Sequence, residues 1–157
     1  MTSRKSDNPS RLIIGCGYLG QRVARRWIQS GSTVFATTRS AANADILSSE
    51  NIHPIIGDVT ATDGSPEFLS DLPEVDTILW AVGFDRNANA SYHDVHVTGL
   101  LHILEQLPNT PRVIFISSTG VWGNEAANDV DESTPARPTR EAGRGLLEAE
   151  AVLERHP

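Results

Sequence analysis

Lysine is almost missing from this chain: Lys5 is the only one in 157 residues, and Tyr18 and Tyr92 are the only tyrosines. Cysteine occurs once, as Cys16. A single thiol excludes an intrachain disulfide and a cysteine-rich zinc site, and it fits a reducing cytoplasm. Runs of basic residues are absent and the formal net charge is −7, with a sequence pI of about 5.1. That balance argues against a nucleic-acid surface or an anionic membrane as partner. No apolar run approaches the ~20 residues of a membrane span. The first ten residues, Met1 to Ser10, are polar and lack the apolar segment of a signal peptide; they read as a flexible tail (1–10) ahead of one domain (11–157). With 39% hydrophobic residues, the chain has enough for one sizeable core.

What is present is a stretch around which the rest is organised, Ile13-Ile14-Gly15-Cys16-Gly17-Tyr18-Leu19-Gly20. A short apolar run breaks into G-x-G-x-x-G and then opens a helical pattern. Gly15 permits a tight turn off the strand. Gly17 has no Cβ, so a pyrophosphate can approach the backbone. Gly20 lets the helix pack closely on the strand. The helix N-terminus then offers free N–H groups and the positive end of its dipole to phosphates. On its own the motif is weak, and a merely tight strand–helix turn is the plainer alternative. Strand before and helix after supply the context it needs.

Further along, strands are expected at Arg11–Ile14, Thr33–Thr37, Ile52–Ile56, Thr77–Val82 and Arg112–Ser117. Helices are expected at Tyr18–Gln29, Ala41–Ser49, Ser91–Leu107 and Thr139–Arg155, with a helical turn over Pro66–Leu72 and a loop over Thr119–Pro138. Strictly alternating strands and helices imply an α/β doubly wound parallel sheet, a Rossmann fold, of strand order 3-2-1-4-5. Its ligand crevice lies at the carboxyl ends of strands 1 and 4. The sequence stops at Arg155-His156-Pro157, where a sixth strand would be due. The expectation is a fragment or an unusually short protein, without the C-terminal part that would supply a substrate pocket.

An NAD site usually carries an acid about 20 positions past the motif, on the ribose 2′-hydroxyl. Here the second strand ends Thr37-Thr38-Arg39-Ser40. Arg39 is placed to pair with a 2′-phosphate, and Thr38 or Ser40 can add hydrogen bonds, which favours NADP over NAD. A solvated arginine after a strand is the bland alternative. Asp58-Val59 follows the third strand. Its carboxylate either accepts from the adenine amino group, with Val59 covering the ring, or caps the next turn. Ala81-Val82-Gly83 ends the fourth strand with small residues that let ribose and phosphate lie against the backbone.

In order, the chain carries Gly15-Cys16-Gly17-Tyr18-Leu19-Gly20, Thr38-Arg39-Ser40, Gly57-Asp58-Val59, His96-Val97-Thr98-Gly99-Leu100 and Ser117-Ser118-Thr119-Gly120-Val121-Trp122-Gly123. This series resembles the NAD(P)-dependent epimerase/dehydratase family, the extended short-chain dehydrogenase/reductases, from Arg11 to about Glu150. The resemblance implies a Rossmann domain binding NAD(P) and reversible hydride transfer at a sugar carbinol. It also implies that Ser118 orients the substrate hydroxyl, and that a Tyr-x-x-x-Lys pair opens the next helix. The corresponding stretch, Pro138-Thr139-Arg140-Glu141-Ala142-Gly143-Arg144-Gly145-Leu146, has neither residue, and Trp122 replaces the usual tyrosine of the serine motif. Arg144 is a poor substitute for lysine, with a fork geometry and a high pKa. The chain therefore resembles an atypical member whose cofactor site is kept and whose usual proton relay is not.

Weaker constellations have plainer readings. His93 and His96 are three residues apart on one helix, too few ligands for a metal site. Cys16 is a small filler between the motif glycines, although a helix N-terminus would lower its pKa and allow some reactivity. Asp129, Asp131 and Glu132 read as a solvated acidic loop, and Trp122 as packing under it or as the lip of a substrate mouth. The helices over 91–107 and 139–155 carry apolar residues on more than one side, so a homodimer through them is one expectation and burial on the sheet the other. Two functions stay open: an NADP-dependent oxidoreductase or epimerase-like enzyme working on a sugar nucleotide or a related carbonyl or alcohol, and a non-catalytic NADP-binding sensor or interaction module.

Overall fold

A computed structural model describes residues 8–61, 68–87, 89–127 and 129–156. At the centre of the sheet is β1 (Ser10–Ile14), flanked in parallel register by β2 (Thr33–Thr38) and β4 (Thr77–Trp80). β3 (His53–Ile56) pairs with β2, and β5 (Arg112–Phe115) pairs with β4. The order is β3-β2-β1-β4-β5, as the alternating pattern requires.

Register carries each side chain to its layer. Leu12 lies opposite Ile78 and Ile14 opposite Trp80; all four are almost fully buried on one face. Ile13 lies opposite Leu79 and Ala36, on the other face. The first layer packs against Val97, Leu100, Ile103 and Ala149, and the second against Ala24 and Leu47. Burying each such leucine or isoleucine contributes roughly 1.5–3 kcal/mol, so a one-residue slip of β1 would lose both layers together.

α1 (Tyr18–Gln29) and α2 (Ala41–Ser49) fall where the spacing put them, and Ser40 caps α2 by accepting from the Asn43 amide at 3.1 Å. β3 starts one residue later than expected. The Ile52 amide closes α2 instead, donating to the Leu47 carbonyl at 3.0 Å. β4 and β5 end earlier than expected, yet the ladder runs one step further: the Ala81 amide donates to Ile14 O at 2.8 Å and the Ile116 amide to Trp80 O at 3.0 Å. The expected helix over 91–107 is two pieces, a π-helical stretch Asp94–Thr98 running into α3 (Gly99–Gln106). The wider i→i+5 turn advances fewer degrees per residue, and three consecutive side chains, Val95, His96 and Val97, are buried.

The expected loop after β5 contains 3₁₀ turns, Thr119–Ala127, interrupted at Gly123 with φ of 60°. α4 (Glu141–Arg155) starts two residues late because Arg140 is still extended. Of the helical turn expected over 66–72, residues 66 and 67 lie outside the described residues; Phe68 to Asp71 form turns, and the Leu72 amide donates to the Leu69 carbonyl at 2.9 Å. No described helix is long and apolar enough to cross a membrane.

Candidate dinucleotide site

The loops leaving β1, β2, β3 and β4 converge on one cleft of about 680 Å³ at the carboxyl edge of the sheet. Its floor is the glycine turn. Gly15 has φ of +84°, and a Cβ there would sit 2.7 Å from Val82 Cα, inside contact distance of the main chain. Only glycine fits, because both the dihedral and the neighbouring loop forbid a side chain. Thr37, on β2, fixes the turn: its Oγ1 accepts from the Gly15 amide at 3.0 Å and its carbonyl from the Cys16 amide at 3.4 Å. Gly20 is where α1 presses on the strand, since a Cβ there would meet Gly15 O at 3.0 Å and Ile13 Cγ2 at 3.1 Å.

Gly17 is the opposite case. Nothing lies within 4 Å of a Cβ built on it, and it forms part of the cleft wall. This open floor stands directly ahead of α1, whose first helical bond runs from the Gln21 amide to Gly17 O at 3.0 Å. The amides of Tyr18, Leu19 and Gly20 therefore have no intrahelical acceptor. No acidic side chain occupies that turn. The side chains of Tyr18 and Leu19, expected among the cofactor contacts, do not line the cleft. Tyr18 is 77% exposed, with the Arg22 guanidinium stacked 3.5 Å over its ring.

Thr38, Arg39, Ser40, Asp58, Val59, Ala81, Val82 and Gly83 all line the cleft. Ser40 is engaged as the α2 cap and Thr38 Oγ1 accepts from the Ser40 amide at 3.4 Å, so both hydroxyls keep a hydrogen to donate. Asp58 caps its own turn: Oδ1 accepts from the Thr60 amide at 2.9 Å and from the Thr60 hydroxyl at 2.8 Å. Its other oxygen lies 4.0 Å from Arg39 Nη1. Arg39 also donates from Nη2 to Asp85 Oδ2 at 3.2 Å. Thr37 and Asp85 were not singled out in the sequence. Thr37 gave a signal, a polar residue inside a buried strand end; Asp85 gave none, being 46 positions from Arg39 in an irregular loop. Burial pushes the Cys16 thiol up to about 11, with the Glu50 charge adding to the rise and the Arg25 charge opposing it, the reverse of the lowering expected at a helix N-terminus.

Ser118 lies in a second, smaller cleft of about 410 Å³, shared with Tyr92, Thr139, Arg140 and Gly143. Its Oγ accepts from the Gly120 amide at 3.2 Å. α4 closes this side by backbone contact: a Cβ on Gly143 would press on the Gly120 carbonyl and come within 2.9 Å of Pro138 Cβ. Arg144 turns away, donating to the Thr139 carbonyl at 3.2 Å. Trp122 is half-buried and does not line this cleft; its indole N–H donates to Thr134 O at 3.1 Å. Asp131 accepts from Ser133 and Thr134 as a turn cap, as an exposed acidic loop should. The two histidines part company: His93 is exposed and 3.5 Å from Glu148, whereas His96 is buried and accepts from the Trp80 indole N–H at 3.4 Å.

Residues 12–145 match the NAD dependent epimerase/dehydratase family. The chain belongs to that family. It is 28% identical over 156 residues to Protein YeeZ of Escherichia coli K12, an alignment covering 92% of this chain and 53% of that protein. Its fold superposes on the UDP-Glc/GlcNAc 4-epimerase of Campylobacter jejuni with a TM-score of 0.76 at 19% identity, covering 94% of this chain and 48% of the other. A short-chain dehydrogenase/reductase superfamily protein of Agrobacterium tumefaciens, solved with bound NAD, gives 0.73 at 22% identity, covering 94% and 44%. The chain thus spans about half the length of these proteins. The cleft suits the family's dinucleotide: an open glycine floor beside unbonded helix amides is what a diphosphate requires. The head of α4, where the family pattern calls for tyrosine and lysine, offers Arg140, Gly143 and Arg144 instead.

Proposed function

We propose that this chain is the dinucleotide-binding part of an NADP-preferring oxidoreductase of the epimerase/dehydratase kind, working on a sugar nucleotide or a related carbonyl or alcohol in the cytoplasm. One observation carries the cofactor preference: the end of β2 bears a guanidinium and no carboxylate, and that guanidinium lines the cleft that has Gly17 as its floor. In this reading the α1 amides and Gly17 take the diphosphate, Arg39 with Thr38 and Ser40 takes the 2′-phosphate, and Asp58 with Val59 borders the adenine. Ala81, Val82 and Gly83 leave room for ribose. When bound, the nicotinamide gives or takes a hydride. Ser118, its oxygen already accepting from the Gly120 amide, has its own hydrogen left to orient a substrate oxygen. The proton that a tyrosine would exchange comes from another acid or from water. The same reading allows two copies to pair through the helices over 91–107 and 139–155, where Leu101 is 41% exposed.

A second reading is favoured by one feature, the lack of tyrosine and lysine at the head of α4. In it the protein binds NADP without turnover, as a sensor or an interaction module. Titration with NADP(H) and NAD(H) side by side tests the cofactor assignment without a substrate. Arg39→Ala should weaken NADPH binding by about 1.5–3 kcal/mol through lost charged hydrogen bonds and leave NADH nearly unchanged. Equal loss for both refutes the 2′-phosphate assignment. Turnover of NADPH with candidate sugar nucleotides or aldehydes separates enzyme from sensor.

A further inference from the structure

Arg39 does not wait in the cleft unpaired. It faces two carboxylates from two other loops, Asp85 Oδ2 at 3.2 Å and Asp58 Oδ2 at 4.0 Å. The Asp85 contact joins the β2 end of the cleft to the loop after β4, and both residues line the cavity. Asp85 is aimed by its own turn, since Oδ1 accepts from the Asn87 amide at 3.0 Å and leaves Oδ2 for the arginine. Among the described residues lining the cleft the charged side chains are one cation and two anions, so a phosphate has to take the guanidinium from carboxylates that already hold it.

We propose that Asp85 is a specificity-determining residue of the dinucleotide site, a charge latch that holds Arg39 across the cleft and yields it only to a ligand bearing a 2′-phosphate. The inference rests on the assignment of Arg39 to that phosphate. Magnitudes make the exchange workable. A single-contact ion pair with both side chains substantially exposed is among the weakest of charged contacts. A phosphate dianion offers the guanidinium two parallel charge-assisted bonds at once, each stronger than a neutral one. NADP(H) therefore opens the latch, at the expense of part of its affinity. NAD(H), with a neutral 2′-hydroxyl, leaves it shut. Asp85 thus narrows the cofactor preference that Arg39 creates.

Calorimetric titration of NADP⁺ and NAD⁺ against the full chain tests this with Asp85→Asn, which keeps an oxygen for the Asn87 amide and removes the charge. Asp85→Ser serves as a second substitution with the same property. The expected result is a gain of about three- to fivefold for NADP⁺, set by the strength of the exposed pair, with NAD⁺ unchanged. On an Arg39→Ala background the gain should shrink towards that of simple charge removal. A gain of full size on that background, no gain at all, or an equal shift for both cofactors overturns the latch. If Arg39→Ala alone leaves NADP⁺ binding intact, the 2′-phosphate assignment itself has failed. If it weakens NADP⁺ while Asp85→Asn changes nothing, only the latch has.

Discussion

The two clefts are built by opposite means. The dinucleotide cleft owes its shape to main chain: Gly15 in a left-handed turn, Gly17 open, and the turn tied to β2 through Thr37. The Ser118 cleft is closed by a helix resting on a loop, Gly143 against the Gly120 carbonyl, and its polar chemistry comes from the side chains of Tyr92, Ser118, Thr139 and Arg140. A main-chain site depends on a few glycines and tolerates change elsewhere. A side-chain site changes its chemistry with every substitution. Holding a dinucleotide and moving a proton are thus separable tasks in this fold, and this chain keeps the groups for the first while lacking the usual pair for the second.

The strongest way to break that contrast is at Gly15. Gly15→Ala forces a Cβ to within 2.7–2.9 Å of the Val82 and Ala81 main chain at a positive φ. It should destabilise the fold by about 3 kcal/mol, from overpacking plus backbone strain, read as a lowered urea midpoint. A Cβ on Gly17 meets no neighbour within 4 Å, so Gly17→Val, which gives up only a favourable N-cap, should lower the urea midpoint far less than Gly15→Ala. Nicotinamide nucleotide binding should nevertheless fall by about a hundredfold or more, ~2.7 kcal/mol, because the valine fills the diphosphate floor. Unfolding by Gly17→Val, or full binding by it, would remove the case that Gly15 serves the fold and Gly17 the ligand. Gly143→Ala sharpens the other side. It should cost about 2 kcal/mol of stability by pushing α4 off the Gly120 carbonyl and leave dinucleotide affinity within twofold. A parallel loss of affinity would show the two clefts to be one mechanical unit.

Much of this was legible in the residues, for identifiable reasons. Strand alternation and the glycine series announce the sheet order and the turn, because register and positive φ leave few residue types that fit. Asp58 was readable as a cap from local hydrogen-bonding habit, whereas Ser40 was read only toward the phosphate and its role as the α2 cap came with the structure. What the chain concealed was non-local. The Arg39–Asp85 contact joins loops 46 residues apart, and nothing in either segment names the other. The π-helical stretch Asp94–Thr98 was hidden as well, since apolar residues on more than one side of the wheel suit an ordinary helix buried on two faces equally well. Gly99, whose amide closes the stretch on Asp94 O, rides so close to the Val59 carbonyl that a Cβ would come within 2.9 Å of it.

That buried stretch supplies the smallest effect and a control for the rest. His96 sits among Trp80, Tyr92 and Phe115, behind rather than on the lining of the dinucleotide cleft that its neighbour Val95 reaches, and burial lowers its pKa below the ordinary 6.5. Above that pH both folded and unfolded chains carry a neutral imidazole. As pH falls through 6.5 the unfolded chain takes up a proton first, so stability is lost progressively towards the lower folded-state pKa. The lowered carboxyls of Asp85, Asp94 and Asp131 act only further down, around and below their ordinary 3.8. Urea midpoints between pH 7.5 and 5 should therefore decline in the parent, and the decline should flatten in His96→Gln. Equal slopes in the two would mean that the imidazole is already solvated, and that the layer under α3 is looser than the packing of Trp80 on His96 implies.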